Sequence, residues 1–360
     1  MGLDQVTGSM KKVDAFGGLK ARPEKVSTAV NYLLVGSDTR EGLTWSELKA
    51  LRVGSTASAA GKRSDTMLLV HISKARDKAV IISLPRDSLV TIPERTTSSG
   101  KIISATKAKL NAAFNWGDAP LLIEVVESMT KLRIDHYIEI NFAGFARMVN
   151  ALGGIQVCTK VAINDPNSHL VLSAGVHTLN GIESLKYVRT RDFDGMGDLG
   201  RMQRQQQFMS SVIRKATSSG VLLNPVKLVN FLNAAMSTVK TDSTLTSGDL
   251  LDLAKQMRNL SSSKVRTLTV PLSDLNYIEP GLGSTVIWDP ILAPELWLRL
   301  KQDRAVIDMV VPTPSSSPST SKTSGSGKTS TASPSPSPSA TLVDKFKTRT
   351  AKENPCGALK

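Results

Sequence analysis

The sequence predicts an α/β fold in which a central mixed β-sheet is sandwiched by helices. Short runs rich in Val, Ile or Leu, several of them bounded by Gly, Pro or Asp, alternate along the chain with longer helical stretches. This alternation is typical of helices packed on a sheet. With 360 residues, 40% of them hydrophobic, the chain can bury a substantial core as one large domain or two small ones. Residues 217–308 continue the alternation with no linker, so we place them in the same domain.

The elements follow from these patterns in chain order. Strands are predicted at six apolar runs, namely Asn31–Val35, Met67–Ile72, Ala79–Leu84, Tyr137–Ile140, Ile155–Cys158 and Val265–Val270. Helices are predicted at Pro120–Lys131, Phe142–Leu152, Ile182–Leu185, Arg201–Lys215, Val226–Met236, Ser247–Asn259 and Ala293–Leu300. A further short strand is expected at Tyr187–Arg191, where alternation would place Arg189 and Arg191 on one face. Asp198 is expected to be the N-cap of the helix that follows.

Both ends of the chain differ in composition from the body. We expect residues 1–28 to be a leader or an expression remnant and residues 29–311 to form the folded domain. Residues 312–343 are predicted to be a disordered linker, because Ser, Pro, Thr, Gly and Ala make up most of it, and residues 344–360 form a basic tail that carries Cys356. The other cysteine, Cys158, either forms a disulfide with it in an oxidising compartment or is a small buried hydrophobe.

The charge balance favours anionic partners. Lys and Arg number 45 against 31 Asp and Glu, and the net charge of +14 attracts nucleic acid, anionic lipid headgroups or phosphorylated carbohydrate. Aromatic residues make up only 4% of the chain and no recognised nucleic-acid motif is present, so nucleic-acid binding is not predicted. No apolar run reaches the roughly 18 residues that span a bilayer.

Tyr187–Phe208 is the most informative stretch, because it places Arg189, Arg191, Arg201 and Arg204 around a Gly-rich turn. Arg201 and Gln205 lie one turn apart near the start of the predicted helix, where unpaired backbone amides and the helix dipole favour negative charge. Planar guanidiniums bind phosphate through two hydrogen bonds at once. The stretch therefore predicts a phosphate or pyrophosphate site, with a solvated basic helix as the structural alternative.

Three more clusters pair an Asp with an Arg near predicted strand ends. They are Gly36–Arg40, Arg63–Thr66 and Pro85–Asp87. Taken separately, each is more often a local ion pair or a turn cap than a functional group. Together with the arginine-rich stretch, they can supply carboxylates for a hard cation and guanidiniums for the phosphates that the cation bridges.

These residues resemble the LytR-CpsA-Psr phosphotransferases of Gram-positive cell walls. The resemblance runs from about Asn31 to Lys215 and more loosely to Val311. Its motifs are Asn31–Arg40, Arg63–Thr66, Leu84–Asp87, Lys109–Ala112, Asn141–Phe142, Gly144–Phe145, Ala151–Ile155, Gly175, Leu179–Gly181, Val188–Arg191, Asp198–Arg201 and Arg204–Gln205. The Ser/Pro/Thr-rich stretch and Val157–Cys158 look like those of actinobacterial members, and this likeness favours a bridge between Cys158 and Cys356.

The resemblance implies that residues 29–311 are a LytR-CpsA-Psr-type α/β/α catalytic domain. Such an enzyme transfers a glycopolymer from a polyprenyl-pyrophosphate carrier to a peptidoglycan hydroxyl, forming a phosphodiester and releasing polyprenyl phosphate. The implied cofactor is Mg²⁺, with Mn²⁺ as a substitute, and a pyrophosphatase activity in vitro is implied as well. The implied partners are the polyprenyl-pyrophosphate-linked glycan, the peptidoglycan acceptor and the membrane surface, with no nucleic acid. The implied location is the extracytoplasmic face of the plasma membrane, through an N-terminal membrane helix that this chain lacks.

The resemblance also assigns roles to individual residues. It implies that Asp38 and Asp65 bind the metal and that Arg63, Arg86, Arg189, Arg191, Arg201 and Gln205 hold the pyrophosphate. Lys109 matches a further headgroup contact, and Arg204 belongs to the same substrate-binding group. Separately from the resemblance, Asp198 or Asp87 is a candidate to orient or deprotonate the acceptor hydroxyl, with an N-cap and a partner for an arginine as the structural alternatives. Phe208 and Val212 continue the helix face below the arginines and are expected to line a lipid tunnel, with core packing as the alternative.

One feature departs from the family pattern, and two other functions compete with the enzyme. Thr44–Gly61, which contains Trp45, is interpreted as an insertion near the site. The alternatives are a non-catalytic binder of anionic wall polymer and a transcription attenuator that binds nucleic acid. A pure polyanion binder gains nothing from carboxylates among its arginines, so the pair Asp38 and Asp65 favours the metal-dependent transferase.

Overall fold

The computed structural model describes residues 10–19, 21–53, 64–97, 99–191, 197–218, 231, 233, 239–256, 260–310 and 341–353. Its strands are β1 (Lys11–Val13), β2 (Val30–Ser37), β3 (Ser64–Ile72), β4 (Ala79–Leu84), β5 (Leu89–Ile92), β6 (Arg95–Thr96), β7 (Ile102–Ile103), β8 (Thr106–Lys109), β9 (His136–Ile140), β10 (Ile155–Thr159), β11 (Ile163–Asp165), β12 (Leu170–Leu172), β13 (Gly175–Leu179), β14 (Val239–Asp242), β15 (Val265–Thr269), β16 (Leu272–Glu279), β17 (Gly283–Trp288), β18 (Asp308–Val310), β19 (Thr341–Val343) and β20 (Arg349–Thr350). Its helices are α1 (Trp45–Leu51), α2 (Leu110–Thr130), α3 (Phe142–Ala151), α4 (Gly181–Arg189), α5 (Gly197–Ser218), α6 (Ser247–Gln256) and α7 (Leu292–Lys301).

The central sheet is mixed and has the strand order β1-β14-β9-β2-β3-β4-β15-β20. Strands β2, β3 and β4 form an antiparallel meander, whereas β9 joins β2 and β15 joins β4 in parallel. Every residue of β4 is buried, as expected for a strand near the middle of a covered sheet. The remaining strands pair in two-stranded sheets, including the hairpin of β16 and β17.

Helices cover both faces of this sheet, which confirms the predicted fold class. On one face, Leu33 and Leu69 pack with α2 and α7 in the main core cluster. On the other face, Tyr32 and Ile81 pack in a separate cluster that includes residues of α5 and α6. Neighbouring residues of one strand point to opposite faces, so each central strand contributes to both cores.

All six predicted strands are present, with ends that differ by no more than three residues from the prediction. Helix α2 is longer than predicted, because it begins at Leu110 and contains a kink at Gly117 and Asp118. Its second half begins near Pro120, where the helix prediction began, since proline is tolerated in the first turn of a helix. The predicted helix Val226–Met236 lies almost entirely outside the described residues.

The structure corrects two predictions near the arginine-rich stretch. The predicted strand Tyr187–Arg191 is wrong, because α4 extends through Arg189. The sequence signal for this helix is a capping box: the Asn180 side chain accepts a hydrogen bond from the Glu183 amide, and the Glu183 carboxylate accepts one from the Asn180 amide. Asp198 is not an N-cap, because α5 begins at Gly197 and Asp198 lies inside its first turn.

Described segments near both ends of the chain are part of the fold, and they lie outside the predicted domain of residues 29–311. Within the predicted leader, Lys11–Val13 forms β1 and adds a parallel strand to β14 at the sheet edge. The predicted linker ends before residue 343, because Thr341–Val343 forms β19 and pairs with β18. The tail that follows packs on the body, with Phe346 buried in the main core cluster and β20 paired with β15.

Cys158 is buried and disulfide-bonded, so it carries no free thiol. The only other cysteine of the chain, Cys356, lies outside the described residues. In the described part of the chain, no helix combines the length and the apolar composition that crossing a bilayer requires.

Candidate active site

The first part of the site is the end of β2 and the start of β3. Asp38 follows β2 directly, and its neighbour Ser37 is buried with its hydroxyl 3.0 Å from the Thr39 hydroxyl. In the register of the two strands, Gly36 pairs with Thr66 and Ser37 pairs with Ser64. Asp65 is therefore the extra residue of a β-bulge, a feature that re-aims side chains and is common beside active sites. Its backbone lies next to the end of β2, and its side chain is outside the described residues.

The second part is the end of α4, which carries Arg189, and the loop after it, which carries Arg191. The Arg189 guanidinium lies over the Phe142 ring, 5.1 Å from the ring centre, so an aromatic face supports it. The Arg191 amide donates a hydrogen bond to the carboxylate of Asp165, which is almost fully buried. The same carboxylate accepts hydrogen bonds from the backbone amides of the loop between β11 and β12. Asp165 thus fixes two loops against each other at the edge of the site.

The third part is the first half of α5. Arg201 and Arg204 are both buried, with 3% and 6% exposed. The Arg204 guanidinium donates to the backbone oxygen of Thr190 at 2.7 Å, and the Gln205 amide donates to the backbone oxygen of Val188 at 3.3 Å. Hydrogen bonds therefore join helix α5 to the end of α4 and to the loop after it, where Arg189 and Arg191 lie.

A cavity of about 680 Å³ lies between these parts. Polar side chains line it near the ends of β2 and α4 and the start of α5, namely those of Asp38, Arg189, Arg191, Arg201 and Gln205, together with Asn141 just before α3. Apolar side chains line the rest, including those of Leu34, Leu68, Phe145, Leu185, Phe208 and Met209. Such a cavity suits an amphipathic ligand that has an anionic head and an apolar chain.

A second cavity of about 290 Å³ adjoins the first, and we call it the polar cleft. Thr66, Leu68, Arg201 and Gln205 line both cavities, so the two cavities meet at β3 and α5. The other lining residues are Met67, Ser83, Leu84, Pro85, Arg86, Asp87, Lys109, Met202, Leu275, Ser284 and Val286. The polar cleft is therefore closed on its far side by the hairpin of β16 and β17.

Asp87 is held between two cations in the polar cleft. Its carboxylate oxygens lie 3.2 Å from Nε of Arg86 and 3.2 Å from Nζ of Lys109. Backbone hydrogen bonds fix this group, because the amide of Asn111 donates to the Arg86 oxygen and the amide of Leu110 donates to the Ser88 oxygen. All three charged side chains are partly exposed, so they can contact a solute in the cleft.

The predicted site residues thus fall into four groups. Asp38, Arg189, Arg191, Arg201, Gln205 and Phe208 line the large cavity, and Arg86 and Lys109 line the polar cleft together with Arg201 and Gln205. Arg204 and Val212 are outside the lining as described: Arg204 bonds to Thr190, and Val212 packs against the cluster around Phe208. Arg63 and the side chains of Asp65 and Asp198 lie outside the described residues. Of the predicted insertion, Trp45 is 76% exposed on α1, and residues 54–61 lie outside the described residues.

Sequence reasoning missed several lining residues. Asn167 and Ser168 reach the cavity from the loop between β11 and β12, and the buried Ser168 hydroxyl has no hydrogen-bond partner among the residues that the structure describes. The stretch Asp165–Ser168 has the composition of a turn, but a turn signal does not say which cavity the turn reaches. Met209, the residue after Phe208 on α5, also lines the cavity.

Aromatic packing supports the apolar part of the cavity. The Phe208 ring lies 5.3 Å from the Phe145 ring and 6.4 Å from the Tyr187 ring. Burial raises the pKa of Tyr187 to about 12, so its hydroxyl stays protonated at neutral pH. The rings therefore form an uncharged wall directly behind the arginines of α5.

Sequence comparison assigns the chain to a family. The profile of the LytR_cpsA_psr family matches residues 4–286. The chain belongs to this family. The probable cell wall biosynthesis protein LcpB of Corynebacterium glutamicum is 35% identical over 279 residues, which cover 76% of this chain and 62% of LcpB. The polyisoprenyl-teichoic acid--peptidoglycan teichoic acid transferase TagV of Bacillus subtilis is 31% identical over 233 residues, covering 63% of this chain and 56% of TagV.

Structural comparison agrees with the assignment to the LytR-CpsA-Psr family. A structure of TagT bound to LI-WTA is 26% identical, with a TM-score of 0.56, and the match covers 82% of this chain and 98% of that one. The predicted resemblance and fold are thus confirmed. The chain spans between half and two thirds of the length of LcpB and TagV.

Proposed function

We propose that this LytR-CpsA-Psr protein transfers a glycopolymer from a polyprenyl-pyrophosphate carrier to a hydroxyl of peptidoglycan. The observation that carries the proposal is the large cavity, in which arginines surround a polar end and apolar side chains line the remainder. A polyprenyl pyrophosphate has the matching division into an anionic head and an apolar chain. TagV, named as a polyisoprenyl-teichoic acid--peptidoglycan teichoic acid transferase, supports the same reaction class.

The arginines have a chemical task in this reaction. Arg189, Arg191 and Arg201 line the polar end of the cavity, where they would bind the pyrophosphate oxygens. Transfer of a phosphoryl group redistributes negative charge between the attacking and the leaving oxygen, and positioned guanidiniums stabilise that charge. The acceptor hydroxyl attacks the phosphorus directly, so the reaction needs no protein nucleophile. The same residues would support hydrolysis of the pyrophosphate in vitro, with water in place of the acceptor.

The proposed reaction includes Mg²⁺, for which Mn²⁺ would substitute. Asp38 lines the polar end of the cavity, and the bulge in β3 places the backbone of Asp65 beside the end of β2. Carboxylate oxygens at these two positions fit the preference of Mg²⁺ for oxygen ligands, and Asp38 and Asp65 would hold the ion. When bound, the ion would supply positive charge to the phosphate oxygens.

The substrate sets the proposed location. A polyprenyl carrier is a membrane lipid, and peptidoglycan lies outside the plasma membrane, so we place the enzyme at the extracytoplasmic membrane surface. The net charge of +14 would attract the chain to anionic headgroups. The proposed means of attachment is an N-terminal membrane helix.

The test is a transfer assay with purified protein. A synthetic polyprenyl-pyrophosphate disaccharide, Mg²⁺ and peptidoglycan oligomers are incubated with wild type and with Arg201→Ala, and the phosphodiester product is measured by mass spectrometry. Arg201 is buried between the two cavities, so we expect the variant to lose at least about 100-fold in rate, the scale of lost transition-state charge stabilisation. Arg304→Ala is the matched control, because Arg304 is exposed after α7 and outside both linings. The proposal is wrong if folded wild type gives no transfer.

A further inference from the structure

Helix α1 belongs to the predicted insertion and has no role in the proposed function, although it is firmly built. The Thr44 hydroxyl accepts a hydrogen bond from the Glu47 amide, and the Glu47 carboxylate accepts one from the Thr44 amide, so a capping box fixes its first turn. Leu51 is 2% exposed and anchors its last turn. Trp45 is nevertheless 76% exposed, so a rigid helix holds a large aromatic ring in solvent.

The exposed side of α1 is aromatic and basic. Trp45, Lys49 and Arg52 follow one another at helical spacing and are all exposed, and we call these three residues the α1 face. The Lys49 ammonium lies 5.4 Å from the centre of the Trp45 ring, close enough for a cation–π contact. The carboxylate of Glu47 is turned to the start of the helix, where it accepts the Thr44 hydroxyl at 2.9 Å. The cations of the α1 face are therefore directed to solvent beside an aromatic ring.

The segment before α1 places this face beside the polar end of the large cavity. The Asn141 side chain, which lines the cavity, donates a hydrogen bond to the backbone oxygen of Glu41 at 3.0 Å. The Arg147 guanidinium of α3 donates to the backbone oxygen of Gly42 at 2.8 Å, and α1 packs against α4. Trp45 follows Glu41 by four residues, a chain length of at most about 14 Å.

The polar end of the large cavity is open to solvent. Asn167 is exposed there, and Asp38 and Arg191 are partly exposed. A polyprenyl carrier is a membrane lipid, and its apolar chain would have to cross water if this opening stood away from the bilayer. A surface that holds the opening against the bilayer would remove that cost.

We propose that the α1 face binds the headgroup layer of an anionic bilayer and holds the opening of the large cavity against it. The inference rests on the proposed function, because it takes a membrane lipid as the ligand of that cavity. Trp side chains concentrate at the membrane–water interface, where the ring is in apolar surroundings and the indole N–H reaches water. Lys and Arg attract anionic headgroups while their carbon stems lie along the apolar layer.

A second pair of an aromatic ring and a cation provides an internal comparison. Trp116 on α2 is 46% exposed, and the Arg95 guanidinium lies 4.5 Å from its ring centre. Helix α2 packs on the sheet face that carries Leu33, whereas Leu34, on the opposite face, lines the large cavity. A bilayer on the α1 face is therefore expected to leave Trp116 in water.

Tryptophan fluorescence of the full chain tests the contact. Trp116→Phe retains Trp45 and Trp45→Phe retains Trp116, with Trp288 and Trp297 common to both variants. Each is mixed with vesicles of equal amounts of phosphatidylcholine and phosphatidylglycerol, with and without brominated acyl chains. In Trp116→Phe the emission should shift to shorter wavelength and be quenched by the brominated lipid. Trp45→Phe should show neither effect.

Sedimentation with the same vesicles measures the contribution of each residue to binding. Trp45→Ser should weaken binding at least about tenfold, because a large aromatic side chain no longer enters the apolar layer. Lys49→Gln should weaken it about fivefold, the effect of one cation at an anionic surface. Trp116→Ser and Lys131→Gln, at an exposed lysine that ends α2, are the matched controls and should change binding less than about twofold. Thermal melting identifies any variant that does not fold.

A transfer assay separates membrane binding from the reaction. One donor carries a long polyprenyl chain and is embedded in the vesicles, and the other carries a short chain and is soluble in water. Trp45→Ser should lower transfer from the embedded donor by the same factor as vesicle binding. Transfer from the soluble donor should stay unchanged, because Trp45 is outside the linings of both cavities.

The outcomes distinguish this inference from the proposed function. Absence of transfer from both donors by wild type overturns the proposed function, while the vesicle assays, which contain no glycan, decide the bilayer contact. Unquenched Trp45 fluorescence, or unchanged vesicle binding by Trp45→Ser, overturns the contact alone. Equal quenching of Trp45 and Trp116 overturns it too, because the chain, with its net charge of +14, then adsorbs in no fixed orientation. Loss of transfer from the soluble donor in folded Trp45→Ser also overturns it, since Trp45 then contacts the glycan.

Discussion

At the scale of single residues, buried charges in this chain have specific partners. Glu127 on α2 is 3% exposed and accepts hydrogen bonds from the Arg22 guanidinium and from the Ile134 amide. Glu127 therefore joins the segment before β2 and the turn before β9 to helix α2. Burial of an ion pair adds little net stability by itself, but removal of one partner leaves an uncompensated buried charge.

The first stability prediction follows from this pair. Glu127→Leu leaves the Arg22 guanidinium without its carboxylate, so the free energy of unfolding should fall by about 3–5 kcal/mol. Urea denaturation at pH 7 measures it. Glu124→Leu is the control, because Glu124 lies one turn earlier on the same helix and is exposed, and it should change stability by less than about 0.5 kcal/mol. Equal effects of the two substitutions would contradict the assigned role of Glu127.

At the scale of elements, Asp242 at the end of β14 connects this strand to β9 and to the segment before α6. One carboxylate oxygen accepts the Tyr137 amide of β9 at 3.0 Å, and the other accepts the Leu245 amide just before α6 at 2.9 Å. Burial by itself would raise the pKa of Asp242, but hydrogen bonds from His136, Thr244 and Tyr137 outweigh it and lower the pKa to about 2.

Because the pKa of Asp242 is lowered on folding, the free energy of unfolding depends on pH over a limited range. A carboxyl whose pKa is lower in the folded state stabilises the protein above its unfolded pKa of 3.8, and the stabilisation is lost as the pH falls towards 2. Wild type should therefore lose about 2 kcal/mol more than Asp242→Asn between these pH values. Urea unfolding at several pH values measures the difference, and Asp252→Asn, at an exposed position on α6, should behave like wild type. A wild-type slope no steeper than that of Asp242→Asn would refute the prediction.

Elements with a strong local signal were predictable from the sequence. The six strands of apolar composition and the helix that carries Arg201 are present, because burial of apolar runs agrees with their local preference. The strand predicted at Tyr187–Arg191 was wrong. Five alternating residues are weaker evidence for a strand than a capping box is for a helix, and the capping box begins seven residues earlier at Asn180. Strands β16 and β17 were missed because their exposed residues do not alternate cleanly, and the register of the hairpin is irregular.

At the scale of the whole molecule, the motifs predicted a set of site residues but not which cavity each one lines. The sequence predicted Arg86, Lys109 and Arg201 for one phosphate site, and the structure places all three in the lining of the polar cleft, with Arg201 lining the large cavity as well. This arrangement depends on the strand order, because β3 and α5 contribute to both linings, and strand order comes from long-range pairing that local patterns do not encode. The contribution of Ser168 depends on the same kind of long-range packing.

The C-terminal tail shows how far such packing extends, and it leads to the last prediction. Phe346 is 5% exposed in the main core, the Arg299 guanidinium lies 5.5 Å from its ring centre, and Arg214 of α5 donates to the backbone oxygens of Ala351 and Glu353. Phe346→Ala should therefore lower the free energy of unfolding by about 3–5 kcal/mol, as expected for loss of a buried aromatic ring. Urea denaturation measures this loss, and hydrogen exchange should become faster in the last turns of α5, where Arg214 lies.

Arg349→Ala provides the comparison, because Arg349 is exposed in the same tail. This substitution should lower the free energy of unfolding by less than about 0.5 kcal/mol. If Phe346→Ala is as stable as Arg349→Ala, the tail does not contribute to the core. If instead stability falls but exchange in α5 is unchanged, the tail stabilises the sheet without holding the helix that carries Arg201. Faster exchange in α5 together with the loss of stability would mean that a segment far along the chain supports the helix that carries Arg201.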